Sequence, residues 1–162
     1  MRLNQLDLTA YGHFSAATLT LPEPRAGAPD LHIVYGPNEA GKSTLLSAWL
    51  DLLFGFPKKP KYAFRHDTRA LRVGAELRDN VGRVYSLARV PSNQNTLLDA
   101  ATDQPVAASV MESLLGGVDR AAYGTMFSLN DQTLVEGSKG IMASEGDLGQ
   151  LLFQGTAGLA EL

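Results

Sequence analysis

Residues 31–44 read LHIVYGPNEAGKST, and no other stretch narrows the possible folds as far. A short apolar run with β-branched centres enters a turn containing two glycines, and a helical pattern starts at Lys42. Gly36, Gly41, Lys42 and Ser43 stand at the spacing G-x-x-x-x-G-K-[ST]. Each position has a physical purpose. The glycines let successive backbone N–H groups turn inward around phosphate oxygens. The helix that opens there adds the positive end of its dipole. Lys42 is placed to reach β- and γ-phosphates, and Ser43 offers a hydroxyl to Mg²⁺. Gly36, Pro37, Asn38, Glu39, Ala40, Gly41, Lys42, Ser43 and Thr44 are therefore the expected binding residues, with ATP and Mg²⁺ as ligands.

The flanking patterns predict an α/β lobe of the P-loop NTPase kind with a mixed sheet, occupying residues 1–162 as one unit. Residues 1–30 read as two antiparallel strands joined near Tyr11-Gly12, followed by a turn-rich loop from Pro22 to Asp30. Residues 31–56 hold a buried central strand, LHIVY, and a helix from Lys42 to Phe54 ended by Gly55 and Pro57. That helix carries apolar residues around most of its circumference, which predicts packing on more than one side. Residues 57–70 form a basic linker with aromatics. Residues 71–100 form a hairpin and a third short strand, with Leu71, Val73, Ala75 and Leu77 inward and Arg72 and Glu76 outward. Residues 105–162 turn helical. Gly116-Gly117 stops one helix, Asp119 caps the next, and Ser144 with Asp147 is spaced as a capping box for another.

The composition permits this and excludes several alternatives. The chain has 162 residues, 44% apolar and 19% charged, enough to bury a core. Its net charge of −3 offers nucleic acid no general attraction, so any contact needs a local patch. Lys58, Lys59, Lys61, Arg65, Arg69 and Arg72 form the one dense basic cluster, interleaved with Tyr62 and Phe64. With no cysteine, disulfides and thiolate chemistry are excluded. His13 and His66 have no ligand-spaced partners for a metal site. No apolar run approaches membrane-spanning length and the N-terminus lacks a signal-peptide pattern, so a cytoplasmic, non-membrane protein is expected.

The loop's filling, YGPNEAGKSTLL, resembles the SMC-like branch of ABC-type ATPases, which includes SbcC-type subunits, and most of all the YhaN-type ATPase domain. YGHF, DLLFGFP, FRHD leading to LRVGAEL, NTLLDA, LLGGVDRAAYGTMFSLN and EGDLGQLLF extend the likeness over nearly the whole chain. The resemblance implies an ATPase head built from the two ends of a long chain with a coiled coil between. The C-terminal end would bring the acidic pair that holds Mg²⁺ and positions water, the signature motif and the switch histidine. Two such heads would clamp two ATP molecules, with DNA as the whole protein's partner and a nuclease as a possible one. Gln132 is the implied glutamine-loop residue touching Mg²⁺ and water, with Asn130 and Asp131 as alternatives. Arg65 and Arg69 fall where an arginine approaches the nucleotide.

The acidic pair after an apolar strand is absent from this sequence. Glu136 in LVEG lacks a preceding Asp, and Asp131 follows a stretch broken by Ser128 and Asn130. LLGG at 114–117 has its serine misplaced for a signature motif, and no segment sustains coiled-coil heptads. The expectation is an N-terminal lobe that binds ATP with little or no turnover by itself. A free-standing small P-loop kinase is the alternative, although antiparallel strands both precede and follow its loop here.

Overall fold

A computed structural model describes residues 1–92 and 96–127; expectations for Asn130, Asp131, Gln132, Glu136 and the helix near Ser144 lie outside them. The chain divides into two compact units, residues 1–118 and 119–162. In the first, β1 (Arg2–Tyr11), β2 (Phe14–Thr20), β3 (Arg72–Arg78), β4 (Val84–Arg89) and β5 (Leu97–Asp99) form one sheet in the order β2-β1-β3-β4-β5. Every pairing is antiparallel. The described sheet is thus not the mixed one expected.

Period-two alternation explains its buried face. Leu6 pairs with Ala75 and Leu8 with Val73. Ala75 pairs in turn with Leu87 and Val73 with Arg89. All of these are buried, as is Leu77, whereas Glu76 between Ala75 and Leu77 is exposed. A register shift between Leu8 and Ala10 then breaks the alternation. Such a bulge re-aims the following side chain, and the next buried residue of β1 is Tyr11 rather than Ala10.

Helix α1 (Lys42–Phe54) lies against β1, β3 and β4, and buries Ala48, Leu52 and Leu53. Two polar contacts anchor it. The buried Tyr11 hydroxyl donates to Asp51 Oδ2 at 2.7 Å. Arg89, also buried, donates from Nε to Leu52 O (3.0 Å) and from Nη2 to Leu53 O (3.2 Å). A guanidinium there satisfies carbonyls that a helix end leaves unpaired and complements its negative dipole end. Burial pulls the Arg89 pKa below its ordinary value. Gly55, at φ 89°, ends the helix. Only one side of α1 is covered by the sheet; Leu46 stays 40% exposed, so the expected packing on several sides is not met among the described residues.

The largest departure is at residues 31–35. The apolar run LHIVY forms no strand, and Leu31, Ile33 and Tyr35 are 72%, 77% and 90% exposed. A strand needs a partner ladder, and no described strand pairs with this segment. The segment is instead led to the phosphate loop through Asp30, which accepts from Arg2 Nε at 2.8 Å. That hydrogen bond holds the Asp30 carboxyl below the usual carboxylate range.

The remaining elements follow their local signals. Asp79 Oδ1 accepts from the amides of Val81 and Arg83 in the β3–β4 turn. Helix α2 (Ala108–Leu115) buries Met111 and ends at Gly116, φ 63°. In the second unit, α3 (Arg120–Phe127) begins after Asp119, whose carboxylate accepts from the Ala122 amide at 2.8 Å. Among the described residues no helix is long and apolar enough to cross a membrane.

Arg89→Met should lower unfolding free energy by about 2–4 kcal/mol, because buried helix-end carbonyls lose their donors. Urea denaturation checks this, and an unchanged midpoint would contradict the anchoring role.

Candidate nucleotide-binding site

The phosphate loop joins the exposed 31–35 segment to α1. Its tight path depends on backbone conformations that most side chains resist. Gly41 sits at φ 96°, and Glu39 at φ 68° adopts a left-handed conformation that is uncommon outside glycine. The Ala40 amide donates to Pro37 O at 3.3 Å, which closes the loop on itself. A Cβ placed on Gly36 would stand 3.1 Å from that of Ala40. Left-handed residues alternating with ordinary ones turn backbone N–H groups to one side, a concavity suited to anions.

That concavity opens on a cavity of about 230 Å³ lined by Asn38, Glu39, Gly41, Lys42, Ser43, Thr44 and His13. Gly36, Pro37 and Ala40 make up the rest of the loop. Helix α1 starts at this cavity with no side-chain cap and no acidic residue in its first turn. Its opening amides and dipole therefore face the cavity without a competing acceptor of their own. Lys42 Nζ donates to Gly36 O (2.7 Å) and Pro37 O (2.8 Å), folded across the loop. Phosphate oxygens are stronger acceptors for an ammonium than neutral carbonyls. The donor set thus fits a polyphosphate, with Lys42 and the amides of residues 41–44 holding it. Ser43 is exposed at the same cavity and would give Mg²⁺ one oxygen ligand, leaving phosphate and water to complete its shell. No cluster of three His, Cys, Asp or Glu residues suited to a metal occurs among the described residues.

The wall opposite the loop comes from the turn between β1 and β2. Tyr11 pairs with Phe14, so Gly12 and His13 form a two-residue connection, with Gly12 at φ 60°. A Cβ on Gly12 would lie 2.5 Å from Thr44 Cγ2, and one on Gly41 would lie 2.5 Å from His13 Cε1 and 2.6 Å from Phe14 Cζ. Both glycines permit a backbone approach that any side chain would block. The sequence signal for this was YGHF, but nothing in its spacing relates His13 to a loop nearly 30 residues later.

Arg65 and Arg69 are separated by the fold. Arg65 Nη1 donates to His13 O at 3.1 Å, so it supports the wall of the cavity. Arg69 lines a different cavity with Phe54, Phe56 and Pro57, at the far end of α1. A helix of 13 residues is about 20 Å long, which puts that end well away from the phosphate loop. Arg72 pairs with Asp103 at 2.6 Å, while Lys58, Lys59, Lys61, Arg65 and Arg69 are exposed.

Gly41→Ala should destabilise the chain by about 1–3 kcal/mol through left-handed strain, and remove Mg-ATP binding by pushing the turn off the loop. Urea denaturation and calorimetric titration check both effects. Wild-type values in each would contradict the close packing of turn and loop.

Comparison with known proteins places this site in context. Uncharacterized protein YhaN of Bacillus subtilis (strain 168) is 28% identical over 134 residues, 80% of this chain but only 13% of the relative. The chain thus spans about an eighth of the relative it matches. The AAA domain family matches residues 1–162, the phosphate loop included, and the chain belongs to that family.

Proposed function

We propose that this chain is the ATP-gripping lobe of an SMC-like ATPase head, whose hydrolysis is completed by a second lobe and by pairing with a second head. The observation that carries the reading is the conjunction at residues 31–44. A loop with its donors turned into a cavity is preceded by an apolar segment left uncovered among the described residues. In P-loop folds the strand before the loop belongs inside a sheet, so LHIVY is a strand awaiting neighbours. The second lobe supplies those neighbours and, with them, the acidic pair that holds Mg²⁺ and positions water. Glu39 is the carboxylate lining the cavity among the described residues, and it sits on the loop itself. Gln132, or Asn130 or Asp131, would join from the region after α3.

DNA is the proposed partner of the whole protein, in repair, recombination or chromosome maintenance in the cytoplasm, with a nuclease as a further partner. Support comes from Lys58, Lys59 and Lys61, which are exposed, as is Phe64, with Lys61 Nζ 5.6 Å from the centroid of the Tyr62 ring. Cations interleaved with aromatic rings suit a sugar-phosphate backbone and its bases. The free-standing kinase reading fits less well, because every pairing in the described sheet is antiparallel, and the one helical crossover, β2–α1–β3, joins strands that β1 separates.

The isolated chain should bind Mg-ATP in calorimetric titration, and Lys42→Ala should weaken it roughly ten- to hundredfold. Equal binding would overturn the phosphate-loop assignment. Phosphate release by the isolated chain should not exceed that of Lys42→Ala, and robust turnover would sink the two-lobe account. Reversing the charge of Lys58, Lys59 and Lys61 should abolish retention of DNA in salt-controlled gel shifts. Unchanged retention would reject that surface.

A further inference from the structure

The basic linker holds both residues of the β1–β2 turn, Gly12 and His13, and the first residue of β2, Phe14. The Gly12 amide donates to Tyr62 O at 2.8 Å. Arg65 Nη1 donates to His13 O at 3.1 Å, and His66 donates through Nε2 to Phe14 O at 2.7 Å. The Tyr62 ring stacks on Tyr11 with centroids 5.6 Å apart, fixing the linker over the strand that leads into the turn. The turn so gripped carries His13, which among the described residues is the one side chain lining the phosphate cavity from outside the loop and α1. Its ring rests on Phe14 at 4.0 Å between centroids and fills the space that a side chain at residue 41 would take.

We propose that His13 is a nucleotide-contacting residue whose imidazole N–H donates to a phosphoryl oxygen in the cavity, and that Arg65 is a positioning residue acting through the His13 carbonyl. The inference rests on the phosphate-loop reading above and adds a second wall to it. The chemistry follows from placement. An imidazole always carries at least one N–H, and in this cavity it faces the same space as Lys42, Ser43 and the opening amides of α1. The ring is braced by Phe14 and its backbone by Arg65, so little rotamer freedom is lost on meeting a phosphate. Arg65 itself is absent from the cavity lining, and its guanidinium is directed to a backbone oxygen. A bound phosphate should therefore feel Arg65 through where it holds His13.

The test measures Mg-ATP affinity by calorimetry for the 162-residue chain and for His13→Ala, His13→Gln, Arg65→Ala and the His13→Ala/Arg65→Ala double variant, with melting temperatures alongside. His13→Ala should weaken binding roughly tenfold, the scale of a hydrogen bond to an ionised phosphate. His13→Gln keeps an N–H donor and should stay within about threefold of wild type. Arg65→Ala should weaken wild type roughly three- to fivefold yet change nothing once His13 is alanine, the mark of one shared interaction. Undiminished binding by His13→Ala, or by both His13 variants losing affinity equally, would overturn the contact. Equal loss from Arg65→Ala in both backgrounds would overturn its positioning role. Absence of Mg-ATP binding by the wild type would instead overturn the underlying phosphate-loop reading and this inference with it. If His13→Ala fails to fold, His13→Gln and its comparison with His13→Leu decide the same question.

Discussion

Burial of one face of α1 on the antiparallel sheet is the constraint on which the site depends. The phosphate loop has no strand of its own behind it among the described residues, so its geometry is inherited from the helix it opens. That helix is fixed along its length. Gly12 abuts Thr44 at its start, the Tyr11 hydroxyl binds Asp51 in its third turn, and Arg89 takes the carbonyls of Leu52 and Leu53 at its end. Apolar contact through Ala48, Leu52 and Leu53 supplies the non-directional attraction, and these polar contacts set the rotation and register. A bulge in β1 makes the middle contact possible by turning Tyr11 toward the helix.

The proposed phosphate grip would be largely a property of backbone. Positive φ at Glu39 and Gly41, an uncapped helix start and a close second wall produce a concavity of N–H groups before any side chain acts. Lys42 then adds mobile charge. It rests on the carbonyls of Gly36 and Pro37, so its ammonium is kept at the cavity mouth rather than free in solvent. Binding would exchange those neutral acceptors for anionic oxygens, a modest rearrangement with a strong electrostatic return.

Much of this was legible in the sequence because the signals are local. The G-x-x-x-x-G-K-[ST] spacing located the loop, Gly55 and Gly116 marked helix ends, and alternation from Leu71 to Leu77 identified the inner face of β3. Three features were not legible, each for the same reason. The bulge that turns Tyr11, the contact of His13 with the loop, and the grip of Arg65 on the turn all join residues distant in sequence, and periodicity carries no information about such meetings. The expected strand at 31–35 failed differently. LHIVY has the composition of a buried strand, but composition cannot state which partners must be present for a ladder to form.

That segment links the fold to the proposed mechanism. An exposed apolar run immediately before a formed phosphate loop is costly to leave in water, and the most direct way to cover it is to add strands on both sides. Completing the sheet and completing the catalytic centre would then be one event, since the incoming lobe brings the neighbouring strands and the acidic pair together. Amide hydrogen exchange of residues 31–35 tests this most directly, measured in this chain alone and joined to the proposed C-terminal lobe. The account requires rapid, unprotected exchange in the chain alone and roughly a thousandfold or greater slowing in the joined protein. Equal exchange in the two, whether fast or slow, would contradict it.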